Sequence, residues 1–304
     1  MSVFLPSSFS YRGQLLEHEP LARYTSWRVG GPADIVYIPA DLEDLSNFLC
    51  HLNEKTKLTW LGLGSNTLVR DGGLDGVVIV TQGGLQLLQQ LDENTLRAEA
   101  GVSAAQLARY AARLSTTGLE FMAGIPGTVG GALAMNAGCF GGETWQVVRA
   151  VETINRRGDI QTRPISDFQI AYRHIVRPQD EWFVAGHFTL LPGEKEKSLE
   201  KIRTLLEKRN HSQPTGTANC GSVFRNPPGN YAGHLIEKCG LKGKQLGGAR
   251  VSEKHANFII NENHATSADI ETLMQEIMTT VEQKTGIRLI PEVCIVGKQS
   301  IDAR

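Results

Sequence analysis

The chain has 304 residues, 41% hydrophobic and 21% charged, enough for one large domain or two with a substantial core. Lys and Arg number 31 against 32 Asp and Glu, a net charge of −1, so no basic footprint calls for nucleic acid or an anionic membrane as partner.

In chain order, the opening "MSVFLPSSFSYRGQLLEHEP" has no basic segment followed by a long apolar run, so no secretory leader is expected. No window approaches ~18 consecutive apolar residues, and no span is expected either. "ADLEDLSNFLCHLNEK" (40–55) predicts a helix capped by Asp41, with Leu42, Leu45, Leu49 and Leu52 on one stripe. Residues 58–80 read as strand, glycine-rich turn, short apolar segment, turn, strand. "SAAQLARYAARLSTTG" (103–118) predicts a helix with a Ser103/Gln106 capping box and Gly118 as its stop. "WFVAGHFTLL" (182–191) alternates as a strand does. "PGEKEK" (192–197) is a charged break, and a domain boundary near 193 follows from it. The helix 198–211 comes next, with Leu199, Ile202, Leu205 and Leu206 inward. The remaining expectations are a strand at 257–261, a helix at 267–286 ending on Gly286, and a last strand at 288–297 with Pro291 at an edge or bulge. Strands and helices mix without a regular βα period, which favours α+β over a doubly wound sheet.

The five cysteines (50, 139, 220, 239, 294) form no C-x-x-C and suit reduced thiols of a cytoplasmic protein. The eight histidines show no paired metal spacing, so no metal site is expected. Glycine is in excess, at 32 residues against a usual ~7%. It clusters at 62–76, 118–142 and 240–248. With ordinary hydrophobicity this signals tight turns or backbone approached closely by something, not disorder.

Five segments are candidates for chemistry. "LGLGSNTLVRDGG" (61–73) begins like a dinucleotide fingerprint, but Thr67 replaces the third glycine and no helix follows. It can still wrap a pyrophosphate as a nest of backbone N–H groups; a plain inter-strand turn is the alternative. "GIPGTVGGALAMNAGCFGGE" (124–143) is no P-loop, yet would let a flat ligand or phosphate lie on backbone; a packing junction is the alternative. Arg173, between Tyr172 and His174, suits a carboxylate or a developing enolate, or is a solvated arginine at a strand end. Glu292, within "RLIPEVCIVG", is either hydrogen-bonded or raised in pKa, as general acids are, or else exposed on an edge strand. Ser222, in "CGSVFRNP", lacks the second elbow glycine, because Phe224 stands there. Only His211 and His234 are near in sequence as bases, so on spacing alone it is a turn serine and a poor nucleophile.

Seven segments in order resemble one family closely: "TSWRVGGPAD", "GLGSNTLVRDGG", "GIPGTVGGALAMNAG", "AYRH", "CGSVFRNP", "AGHLIEKCGLKGKQLGGARVSEKHANFIIN" and "IPEV". They are similar to the UDP-N-acetylenolpyruvoylglucosamine reductases (MurB), from about residue 20 to residue 297. The resemblance implies a vanillyl-alcohol-oxidase-type (PCMH-type) FAD-binding fold in two α+β subdomains, residues 1–193 split near 85. A C-terminal α+β substrate-binding domain, 194–304, would follow. It implies non-covalent FAD, NADPH as co-substrate and a UDP-sugar substrate, in a cytoplasmic monomer of peptidoglycan synthesis.

By motif position the resemblance makes Ser222 the proton donor, with Arg173 and Glu292 polarising the substrate carboxylate. It places FAD against Arg28, Gly30, Gly31, Gly62, Leu63, Gly64, Ser65, Asn66, Gly124, Ile125, Pro126, Gly127, Thr128, Ala137 and Gly138. Tyr172, Arg225 and Asn226 would meet the UDP-sugar, and Lys238, Lys242, Lys254 and His255 its diphosphate. The length fits the shorter branch of the family, without its inserted tyrosine-bearing loop. The rivals are an oxidase of the same flavin fold and a nucleotide-sugar binding protein without catalysis.

Overall fold

A computed structural model describes residues 10–300. Chain contacts divide it into two compact units. The first holds 35–63 and 76–208 with the segment before residue 18; the second holds 18–34, 64–75 and the chain from 209 on.

The first unit is built on two sheets. One is four-stranded, in the order Gln14–Pro20, Pro32–Ile38, Leu74–Val80, Leu58–Leu61. Its last two strands are parallel, with Leu58 opposite Val77 and Leu61 opposite Val80. Helix α1 (Leu42–His51) starts where Asp41 accepts a hydrogen bond from Asp44 N, the expected cap. Its Leu45, Phe48 and Leu49 join Ile35, Tyr37, Val77 and Ile79 in one core. The other sheet is antiparallel and five-stranded, in the order 160–164, 148–155, 181–189, 95–99, 88–92. Helices α2 (Ala104–Arg113) and α3 (Val129–Met135) share its core with Leu96, Val151 and Phe188.

Some boundaries differ from the sequence reading. α2 ends at Arg113, not at Gly118: Ser115 turns the chain at φ 57°, and Thr116 Oγ1 caps Ala111 O at 2.8 Å. Thr116 and Thr117 then pair with Pro192 and Leu191, so the strand pairing wins over helix continuation. Helix α4 (Lys195–Ser212) begins inside the charged stretch, because charge does not break a helix and only Pro192-Gly193 does. Of its expected inward residues Ile202 is buried, while Leu199, Leu205 and Leu206 are half-buried.

The second unit packs α5 (Ala232–Lys238) and α6 (Ser267–Thr285) with a three-stranded antiparallel sheet of 245–246, 249–251 and 259–261. Gly286 at φ 71° ends α6, as the sequence indicates, and a capping box of Thr266 and Asp269, not read from the sequence, starts it. The last strand is shorter than 288–297: only Cys294–Val296 pairs, parallel to Thr67–Val69. Pro291 instead forms a single bridge with Phe224. The bonds beside that bridge use the N–H groups of Arg225 and Glu292, so the missing proline N–H is not called on. No helix among the described residues is long and apolar enough to cross a membrane.

Candidate active site

The glycine-rich turn after strand 58–61 is tightly enclosed. A Cβ on Gly62 would lie 2.2 Å from Thr128 Oγ1, and one on Gly64 would lie 2.1 Å from Tyr24 O. Gly64 takes φ 60°, where side chains are disfavoured. Its carbonyl accepts from Ser26 N at 3.2 Å, but neither its N–H nor that of Ser65 donates within the described residues. Leu63 is exposed at the tip.

In the second unit, Asn66 accepts from Cys294 N at 3.0 Å and donates through Nδ2 to Glu292 O at 3.0 Å. The loop 25–31 is held by Trp27, fully buried with Nε1 on Ile259 O at 2.7 Å, and by Asn261 Nδ2 on Trp27 O at 2.9 Å. Arg28 is exposed at φ 58°, Gly30 takes φ 131°, and Gly31 N donates to Arg70 O.

In the first unit, the segment Gly124–Thr128 leads into α3. Gly127 N donates to Ile125 O, Thr128 caps α3 through Gly131 N, and Pro126 is exposed among buried neighbours. α3 ends on Asn136, fully buried and left-handed at φ 44°. Ala137 and Gly138 follow at once, half-buried. The hairpin 169–171/174–176 carries Tyr172 and Arg173 at its tip. Arg173 is not a solvated strand-end arginine: it is half-buried at φ 55°, with Nη1 on Asn136 O at 3.2 Å and Nη2 on Gly138 O at 2.9 Å. Its guanidinium lies 5.0 Å from the centre of the Tyr172 ring. The structure thus joins Arg173 and Tyr172 to the 136–138 backbone.

The Ser222 turn is fixed from two sides. Gly221 at φ 75° makes the turn, and Gly221 N donates to Asn219 Oδ1. Beyond Ser222, Val223 N donates to Asn257 O at 2.9 Å. Phe224 N donates to Asn257 Oδ1 at 3.0 Å, and Asn257 Nδ2 donates to Phe224 O at 2.8 Å. On the opposite edge Glu292 N donates to Val223 O at 2.8 Å and Arg225 N to Ile290 O at 2.9 Å. Ser222 and Glu292, both half-buried, therefore sit on adjacent, cross-bonded backbone. Burial, with the charge of Glu292 added, pushes the Cys220 thiol well up, so Cys220 is an inert wall of this turn.

Asn226 is exposed, and its Oδ1 accepts from Ala232 N at 3.0 Å, which closes the loop onto α5 and leaves its NH2 for a ligand. Lys242 is paired with Glu237 at 2.7 Å. His255 stands beside Gly233 of α5, its Nδ1 accepting from Asn257 N at 3.3 Å. Its pKa is lowered by burial and then by Lys242, so it is a neutral donor through Nε2 at neutral pH. Lys254 turns to Asn210 O at 2.5 Å, and Lys238 is exposed at the end of α5. Lys242 and His255 thus share one neighbourhood, while Lys254 bonds a different segment. Asn136 in the first unit and Asn257 in the second each fix the candidate residues beside them and were not singled out from sequence; a buried asparagine and a loop asparagine look alike until the fold is known.

A family model described as UDP-N-acetylenolpyruvoylglucosamine reductase, C-terminal domain, matches residues 213–296, and one described as FAD binding domain matches 33–163. The UDP-N-acetylenolpyruvoylglucosamine reductase of Legionella pneumophila (strain Corby) is 56% identical over 294 residues, 96% of each chain. That of Coxiella burnetii (strain Dugway 5J108-111) is 50% identical over 94% of this chain and 97% of its own. Among solved structures, the Thermus caldophilus UDP-N-acetylenolpyruvylglucosamine reductase matches with TM-score 0.80 and 30% identity over 94% of this chain and 99% of its own. The 6-hydroxy-D-nicotine oxidase of Arthrobacter nicotinovorans, at TM-score 0.54, 11% identity and 94% and 90% coverage, shares the fold alone. The fold is accordingly α+β of the vanillyl-alcohol-oxidase type, with an FAD-binding domain. With identities of 50–56% across nearly its whole length, the chain belongs to the UDP-N-acetylenolpyruvoylglucosamine reductases, a family of flavin oxidoreductases.

Proposed function

We propose that the protein reduces UDP-N-acetylglucosamine enolpyruvate to UDP-N-acetylmuramate with electrons from NADPH, as a cytoplasmic monomer serving peptidoglycan synthesis. Residues 1–193 would serve the flavin and 194–304 the substrate. Bound FAD, held non-covalently, supplies the hydride. The residues present fit it: the Gly64 and Ser65 N–H groups, in a turn too tight for a Cβ, suit a diphosphate. Leu63, Gly62 and Asn66 complete that turn. Arg28, Gly30 and Gly31 add a positive side chain and bare backbone. Gly124 to Thr128, with Ala137 and Gly138, give the flat backbone a ring system needs.

Hydride arriving at the vinyl carbon leaves negative charge on the adjacent carbon, conjugated to the substrate carboxylate. Arg173 and Glu292 hold that carboxylate and stabilise the charge. Ser222 gives its hydroxyl proton to the carbanion. A neutral serine is a weak acid, so it serves only when fixed within hydrogen-bond range. Tyr172, Arg225 and Asn226 would orient the sugar, and Lys242 and His255, with the exposed Lys238, would serve the diphosphate; Lys254, bonded to Asn210 O, would join them only by turning from that carbonyl.

The observation that carries this reading is the double anchoring of the Ser222 turn, by Asn257 on one side and by the Glu292 strand on the other. Rigid support is what a weak proton donor needs. The test is NADPH oxidation by FAD-loaded protein with and without UDP-N-acetylglucosamine enolpyruvate. Substrate-dependent consumption with formation of UDP-N-acetylmuramate is expected; none, in protein shown to hold FAD, contradicts the proposal.

A further inference from the structure

Asn136 is the node of the loop that receives Arg173. It is fully buried, and every polar group of its side chain is used. Nδ2 donates to Glu143 Oε2 at 2.9 Å and to Ala171 O at 3.2 Å, while Oδ1 accepts from Trp145 N at 3.2 Å. Ala171 is the last paired residue before the hairpin tip, two positions from Arg173. The Asn136 side chain thus grips the hairpin at its tip, and the Asn136 carbonyl receives the guanidinium the tip presents. A Cβ on Gly138 would come within 3.0 Å of Arg173 Nη1, so the glycine keeps the guanidinium's seat open. Arg173 is itself held at φ 55°, a conformation that a bulky residue keeps only where its surroundings impose it.

We infer that Asn136, with Glu143 as its acceptor, is a positioning residue for Arg173. It fixes the place and angle of the guanidinium toward the substrate carboxylate without touching the substrate. The inference rests on the reading of Arg173 given above. A left-handed helix end alone would be served as well or better by glycine. Glycine lacks the three side-chain hydrogen bonds, so the two roles of Asn136 separate cleanly.

The test is Asn136→Gly in FAD-loaded protein. Expected are FAD content and flavin reduction by NADPH close to those of the parent protein, and flavin reoxidation by substrate slowed about tenfold. Substrate affinity of the oxidised protein, read by calorimetry, should fall by a similar factor. Asn136→Asp sets a carboxylate against Glu143 and should do the same; adding Glu143→Gln restores a donor facing an acceptor and should recover part of both losses. If Asn136→Gly does not fold, this exchange pair decides: recovery supports the inference and its absence overturns it. Arg173→Lys separates the two levels. If it changes neither affinity nor reoxidation, the reading of Arg173 itself fails. If it impairs both while Asn136→Gly impairs neither, the positioning role of Asn136 is overturned.

Discussion

Removal of the Asn257 carboxamide is the sharpest stability test of how the Ser222 turn is held. At the bridge between Phe224 and Pro291, the neighbouring hydrogen bonds run from Arg225 N and Glu292 N, so the N–H and C=O of Phe224 point the other way. The Asn257 side chain meets both, accepting at 3.0 Å and donating at 2.8 Å, as a neighbouring strand would. Phe224 is 1% and Asn257 3% exposed, so no water replaces the lost partner. Each buried group left unmet costs about 1–3 kcal/mol, so Asn257→Ala should cost about 3–4 kcal/mol. Equilibrium urea unfolding with saturating FAD measures this. Asn257→Asp keeps the acceptor for Phe224 N but turns an oxygen against Phe224 O. A carboxyl so placed has its native pKa raised, so its stability deficit should grow as pH rises through the carboxylate range. Losses below about 1 kcal/mol for Asn257→Ala, or a deficit in Asn257→Asp that shrinks with rising pH, refute the reasoning.

Two further perturbations test other parts of the fold and site. Glu120, 3% exposed, accepts from Thr117 Oγ1 at 2.6 Å, Ser198 Oγ at 2.9 Å and Lys201 Nζ at 3.2 Å, and so ties α4 to residues 117–120 within the first unit. Burial acts to raise its pKa, but those hydrogen bonds outweigh it and hold the carboxyl at about 2 against an ordinary 4.5. A depressed native pKa gives stability that is complete above the unfolded value and lost as pH falls toward about 2. Glu120→Gln should therefore cost about 2–3 kcal/mol at neutral pH and flatten the acid limb of the stability profile. Gly62→Ala drives a methyl to 2.2 Å from Thr128 Oγ1. It should lower the FAD-to-protein ratio on purification, measured from the flavin band. Thr128→Ala in the same chain should restore part of it, and Thr128→Ser should not.

Much of the fold was legible where one residue decides a local outcome. Asp41 begins its helix and Gly286 ends α6, because caps act within one turn of the chain. Ser115 and Thr116 were not legible as a stop, because their turn depends on pairing with residues 191–192, far along the chain. The last strand shortened for the same reason: its Pro291 answers Phe224, 67 positions away. In the site, Arg173, Ser222 and Glu292 stood out by motif, but their supports did not. Asn136, Asn257 and Trp27 act by meeting backbone groups that only the fold brings to them. A single sequence marks the groups proposed for chemistry more plainly than those that hold them.

The proton-donor role of Ser222 is tested most directly by Ser222→Ala in stopped flow at the flavin band. The account predicts flavin reduction by NADPH at close to the parent rate, and reoxidation by UDP-N-acetylglucosamine enolpyruvate slowed by about 10²–10⁴-fold, the usual worth of a positioned acid. Reoxidation at the parent rate, in protein with full FAD content, would contradict it.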